Sequence, residues 1–146
     1  MKITTQIQYG VRSLCDIAYN SAGSPAQVRA ISERQGISPR YIEQIFQKLK
    51  KGGIIKSLRG PAGGYFLTRR PEDISVGDVI RAVDGRSIQL VLCKGDKKGP
   101  RKACERVEKC VVSEVWDEAS KRLMDYFDSV SLSQICEDAR DRGVGI

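Results

Sequence analysis

Cys93, Cys104 and Cys110 are spaced C-x10-C-x5-C in a 146-residue chain that has no histidine. Between and beside them stand Lys94, Lys97, Lys98, Arg101, Lys102, Arg106 and Lys109. Neighbouring cations lower a thiol's pKa and favour the thiolate, the form that binds metal or reacts. Three thiolates in such a segment suit an iron–sulfur cluster, of the [2Fe–2S] or [4Fe–4S] type, with zinc as the alternative donor match. Three loop cysteines that hold no metal are the remaining reading. Without histidine, a fourth ligand must be an oxygen or nitrogen group, another cysteine or an exogenous ligand. Cys15 and Cys136 sit on apolar helix faces and read as small core residues. The missing histidine also removes serine–histidine and cysteine–histidine catalysis. With no paired-carboxylate or phosphate-loop motif either, the chain does not read as an enzyme.

The charge points to an anionic partner. The net charge is +7. Residues 1–70 hold 12 Lys+Arg against three acids (Asp16, Glu33, Glu43), for +9, and residues 71–146 come to −2. That asymmetry favours a nucleic-acid-binding module joined to something else. Hydrophobic residues at 40% and charged residues at 29% permit a packed core and argue against global disorder. No run approaches the ~20 apolar residues of a membrane span. Met1-Lys2-Ile3-Thr4-Thr5-Gln6 lacks the apolar run of a secretory signal, so a cytoplasmic protein with reduced thiols is expected.

The elements that position these residues follow from periodicity and punctuation. Ile7, Val11, Leu14 and Ala18 predict a helix from about Thr5 to Tyr19. A second helix is expected to open at Ser24, with Pro25 in its first turn and Gln27 completing a capping box, and to end at Gly36. Ser38 and Pro39 start a third, whose Ile42, Ile45, Phe46 and Leu49 form one apolar stripe. Its other face carries Arg40, Tyr41, Glu43, Gln44, Gln47, Lys48 and Lys51. The pair reads as a helix-turn-helix, whose second helix enters the DNA major groove. Gly52-Gly53 ends it. Ile54–Leu58 and Tyr65–Thr68 read as strands around the turn Arg59-Gly60-Pro61-Ala62-Gly63-Gly64. This is a hairpin wing whose bare tip suits phosphate contact and whose Arg59 suits a minor groove.

The fold class is therefore mostly α with a small β-hairpin wing: a winged helix-turn-helix domain plus a long helix. The expected divisions are a DNA-binding domain at 1–85, a cysteine-containing sensor loop at 86–110, a dimerisation helix at 111–130, and a short last helix and tail at 131–146. Lys94 to Lys102, rich in Lys, Gly and Pro, reads as loop. Val112, Trp116, Ala119, Leu123, Tyr126 and Val130 are spaced 4-3-4-3-4, a seam for a partner helix. A second copy is the natural match, and a symmetric dimer reads a palindrome. Ser131 caps the last helix, which carries Leu132, Ile135, Cys136 and Ala139 on one face.

Three strings carry a resemblance: Ile37-Ser38-Pro39-Arg40-Tyr41-Ile42-Glu43-Gln44-Ile45, Arg59-Gly60-Pro61-Ala62-Gly63-Gly64-Tyr65 and Ile74-Ser75-Val76-Gly77-Asp78-Val79-Ile80. The chain resembles the Rrf-two type of bacterial transcriptional regulators, the family of IscR, NsrR and CymR. The resemblance implies a homodimeric winged-helix repressor or activator of double-stranded DNA. It also implies that Ser38, Arg40, Tyr41, Glu43 and Gln44 meet bases or phosphates, with Arg59 and Gly60 in the minor groove. Cluster-binding members place three cysteines just before the long helix, where Cys93, Cys104 and Cys110 fall. Two departures stand out. The first cysteine spacing is longer than usual, so Lys97 to Lys102 reads as an insertion. The positions where relatives place a fourth ligand hold Ser113 and Gln8, neither a strong iron ligand. The expected function is a regulator, read first as a repressor, that senses redox state, iron–sulfur status or nitric oxide. The alternative is a cluster-free regulator answering a metabolite or a partner enzyme.

Overall fold

Thr4 starts the first helix: its hydroxyl accepts the Ile7 N–H at 3.3 Å, and α1 runs over Thr5–Asn20. The computed structural model describes residues 3–85, 88–91, 93 and 104–146. The loop reading of Lys94 to Lys102 lies outside the described residues.

The second helix begins later than its punctuation suggests. α2 spans Val28–Gln35, and its N-cap, Gln27, makes no side-chain capping bond. The expected start at Ser24 and the capping box with Gln27 are corrected by a competing interaction. Ala26 donates to the Tyr65 carbonyl at 2.7 Å and accepts from the Tyr65 N–H at 2.8 Å. Two backbone bonds to the wing satisfy groups that a capping box would have left half served. Gly36 then ends α2 in the left-handed conformation at φ 64.

α3 (Pro39–Lys51) follows the expected device, with Ser38 capping and proline in the first turn. Its stripe of Ile42, Ile45, Phe46 and Leu49 is fully buried. β1 (Ile55–Leu58) and β2 (Gly64–Leu67) pair antiparallel, with Ile55 opposite Leu67 and Leu58 opposite Gly64. Phe46 meets the Tyr65 ring at 4.8 Å, which seats the hairpin on α3.

α4 (Val76–Asp84) opens with a full capping box between Ser75 and Asp78 and buries Val79, Ile80 and Val83. α5 (Val111–Ser129) and α6 (Leu132–Asp141) complete the chain. Ser131 caps α6 by accepting the Gln134 N–H at 3.2 Å. The core gathers Leu14 and Ile17 of α1, Ile31 of α2, the α3 stripe, Ile80 of α4, Met124 of α5 and Leu132 of α6.

The junction of α5 and α6 is stitched to the start of α4. Val76 donates to Val130 and Leu132 donates to Ile74, both at 2.9 Å. Arg81 adds a bidentate pair to Asp128 at 2.7 and 3.1 Å. The long helix is thereby held to the winged domain by its C-terminal end, with Met124 as its buried anchor. Its seam is another matter: Val112, Trp116 and Tyr126 are 52%, 41% and 62% exposed in the single chain. Among the described residues no helix is long and apolar enough to cross a membrane.

Candidate nucleic-acid interface and cysteine segment

The outward face of α3 is built by helical spacing. Because one face buries the Ile42–Leu49 stripe, residues between those positions must point away. Arg40, Glu43, Gln44, Lys48 and Lys51 are all exposed, as is Ser38 at the N-terminus. Ser38 Oγ accepts the Tyr41 N–H at 3.4 Å, and its hydroxyl proton is left to donate outward. Tyr41 differs from its neighbours. It is half-buried, edge-on to Tyr9 at 5.8 Å, and Arg12 stands over the same Tyr9 ring at 5.5 Å. Its hydroxyl end, not its ring, is the part suited to a phosphate.

Arg59 and Gly60 lie exposed at the wing tip. Gly60 has φ 110, which a side-chain-bearing residue rarely adopts. Gly64 is confined for a second reason: a Cβ there would stand 2.5 Å from the Ala26 carbonyl oxygen. Gln27 Nε2 donates to the Pro61 carbonyl at 3.5 Å, tying the entry of α2 to the tip.

A partly buried ion pair, Asp16 with Arg34, ties α2 to α1. Asp16 is fully buried on α1 and receives Arg34 Nη2 at 2.6 Å and Nε at 2.9 Å. Gln35 Nε2 donates to the same carboxylate at 2.9 Å, and Arg12 donates to the Gln35 carbonyl at 2.8 Å. Hydrogen bonding to Asp16 holds the Arg34 guanidinium above its ordinary pKa. Of the three acids in the first 70 residues, Asp16 is thus consumed internally and Glu33 pairs with Arg29. Glu43 is the one set on the outward face of α3.

Sequence reasoning missed several polar residues here. Gln6 accepts from Lys48 at 2.6 Å, so Lys48 is aimed by α1 rather than free to sweep. Lys50 donates to Ser57 at 2.7 Å, and Lys56 is exposed on β1 of the wing. Alternation along Ile55-Lys56-Ser57 was the available signal for Lys56. Nothing local signals the Gln6–Lys48 pair, which joins residues 42 positions apart.

The cysteine segment is partly assembled. The Cys104 N–H donates to the Cys93 carbonyl at 2.9 Å, which brings the backbones of these two cysteines together. Cys110 is the N-cap of α5, and its carbonyl accepts both the Ser113 N–H at 3.0 Å and the Ser113 hydroxyl at 2.6 Å. All three are free thiols, Cys104 exposed and the other two half-buried. The Leu90 N–H donates to Ser120 Oγ at 3.0 Å, which moors the approach to Cys93 on α5. Three soft sulfur donors on one segment fit the chemistry of an iron–sulfur centre. Their side chains are not gathered: among the described residues no group of three Cys, Asp or Glu could hold a metal ion. Ser113 is engaged in its own helix turn, and Gln8 is exposed with its amide donating to Ile3 at 3.4 Å.

Three comparisons bear on this arrangement. The family model Rrf2, described as an iron-dependent transcriptional regulator, matches residues 3–138. The chain is 38% identical over 138 residues to the HTH-type transcriptional regulator IscR of Aliivibrio salmonicida, covering 94% of this chain and 79% of that protein. It is 39% identical over 135 residues to the IscR of Escherichia coli O1:K1, covering 92% and 80%. Among solved structures it is similar to T. potens IscR, with TM-score 0.76 and 32% identity over 100% of this chain and 93% of that one. CymR, the global cysteine regulator of B. subtilis, aligns with TM-score 0.72 and 28% identity, covering 94% and 97%.

Proposed function

The chain belongs to the Rrf2 family of transcriptional regulators, and on that premise we propose that it binds a palindromic duplex operator as a homodimer under the control of Cys93, Cys104 and Cys110. It is a DNA-binding regulator and not an enzyme. The observation that carries the DNA side is the outward face of α3 beside the wing tip, where the +9 half concentrates exposed cations.

In this reading residues 1–85 are the reader, 86–110 the sensor segment and 111–130 the dimerisation helix. Ser38, Arg40, Tyr41, Glu43 and Gln44 meet bases and phosphates in a major groove. Lys48 and Lys51 neutralise phosphates, and Arg59 and Gly60 enter the adjacent minor groove. The exposed seam of Val112, Trp116 and Tyr126 is covered by the same helix of a second copy. The protein acts in the cytoplasm, where its DNA lies and thiols stay reduced.

Cys93, Cys104 and Cys110 would hold an iron–sulfur cluster. When bound, such a cluster supplies a centre sensitive to redox state and to nitric oxide. The chain's own part is mechanical. Cys110 begins α5, the far end of α5 is stitched to α4, and α4 packs against α1 and α3. A change in how the three thiols are held therefore bears on the placement of two recognition helices, and operator affinity shifts as one arrangement gains population over the other.

Anaerobic purification with absorbance and iron and sulfide quantitation tests this. The expected result is a coloured protein whose iron and sulfide are lost in Cys93→Ser, Cys104→Ser and Cys110→Ser variants. A colourless, iron-free protein that still represses would remove the cluster and leave the DNA reading intact. A second reading, regulation without a cluster, draws on the ungathered thiol side chains. An unchanged response after alanine replacement of all three cysteines would favour it.

A further inference from the structure

Two thiols outside the sensor segment lie together where α6 packs on α1. Cys15 on α1 and Cys136 on α6 are 2% and 3% exposed. They are 121 positions apart, yet Cys136 Sγ donates to the Cys15 carbonyl at 3.8 Å. As core filler, either would need only to be small and apolar. Placed together, they are a dithiol. A cavity of about 410 Å³ opens onto Cys15, lined by Arg12, Arg34, Gln35, Ile135 and Ile146. A molecule the size of water or hydrogen peroxide needs far less room than that.

We propose that Cys15 and Cys136 are an oxidisable pair that closes to an intramolecular disulfide when a small hydroperoxide enters this cavity. The charged groups around the pair are Asp16 beside Cys15 on α1, Glu137 and Arg140 flanking Cys136 on α6, and Arg12 and Arg34 in the cavity wall. The Cys15 hydrogen bond, and then Arg140, hold the Cys136 thiol below the ordinary value against the opposing effect of burial. That same hydrogen bond, reinforced by burial, holds Cys15 above it.

One of the two sulfurs, as its thiolate, attacks one peroxide oxygen. The O–O bond breaks, a sulfenic acid forms on that sulfur, and the departing oxygen leaves as water or an alcohol after protonation. The other cysteine gives up its proton, its sulfur attacks the oxidised one, the S–O bond breaks and water leaves. Two thiols and one hydrogen peroxide become one disulfide and two waters, so the sulfurs lose the two electrons the peroxide gains. The bond ties α6, which continues directly from α5, to α1, which packs on α3. It is chemically separate from Cys93, Cys104 and Cys110.

Peptide mapping of the intact full-length protein tests this. Trypsin releases residues 13–29 and 123–140, each with a single cysteine, Cys15 and Cys136 respectively. After hydrogen peroxide, alkylation and digestion without reductant, mass spectrometry should find these two peptides joined, two hydrogens lighter than their sum. The monomer band should persist on a non-reducing gel, the thermal midpoint should rise, and dithiothreitol should reverse both link and shift. A variant carrying Cys93→Ser, Cys104→Ser and Cys110→Ser should form the same link, and Cys136→Ser should lose it. Recovery of both peptides separately alkylated after oxidation would overturn the proposal. So would linkage of either one to a peptide carrying Cys93, Cys104 or Cys110.

Discussion

Two residues with similar charge are expected to behave differently on DNA. Arg59 sits at the exposed tip of the wing, and the proposed reading puts its guanidinium in the narrow groove of an A·T-rich flank. Arg59→Ala should cost about 1–3 kcal/mol there, while Lys51→Ala should weaken all duplexes alike and lower the salt slope by about 1. Fluorescence anisotropy titrations over a salt series on two flanking sequences separate these outcomes. Equal loss on both flanks for Arg59→Ala would move the wing out of the groove. Asp78 contributes a pH dependence at this scale. Burial pushes its carboxyl up, but hydrogen bonds from Arg81 and the Ser75 N–H, with Arg69 nearby, outweigh that and hold it below the ordinary value. A carboxylate whose folded pKa lies below its unfolded one contributes stability above roughly pH 4, which is lost as pH falls through the folded value. Urea midpoints should therefore drop below about pH 4 in the wild type, and less steeply in Asp78→Asn.

At the scale of elements, α3 and the hairpin were legible because Ser38-Pro39, the i, i+3, i+4, i+7 stripe and the glycine-rich turn act locally. The start of α2 was not. Ser24-Pro25 and Gln27 carry helix-start chemistry, but Ala26 pairs with Tyr65, a residue far along the chain, and that long-range bond decides where the helix begins. The Gln6–Lys48 contact was hidden for the same reason, since polar pairs between elements leave no periodic trace. The Ala26 contact also makes a prediction. A methyl at Gly64 would crowd the Ala26 carbonyl at a φ of 156, so Gly64→Ala should destabilise by about 2 kcal/mol and loosen the wing. Hydrogen exchange should show the Tyr65 and Ala26 amides losing protection while those of α4 keep theirs. Protection left unchanged would mean the pairing does not hold the wing.

At the scale of the whole molecule, the exposed seam and the cysteine segment share one helix. Trp116→Glu and Tyr126→Lys, placed on that seam, should leave a folded 16.2 kDa monomer by sedimentation, with operator affinity reduced at least tenfold. A dimer that survives both would place the interface elsewhere. The cysteine spacing was readable in the sequence as donor chemistry. What it could not show is that Cys104 folds back onto the Cys93 carbonyl and that Cys110 starts α5, because both depend on where the chain turns. The proposed control of DNA binding rests on that link between thiols and reader. Its most direct test is the operator affinity of anaerobically purified protein before and after its iron is removed, measured on one duplex at one salt concentration. Affinities differing by roughly 5–150-fold, with the Cys93→Ser, Cys104→Ser, Cys110→Ser variant fixed at the iron-free value, are the predicted result. Identical affinities for all three preparations would contradict it.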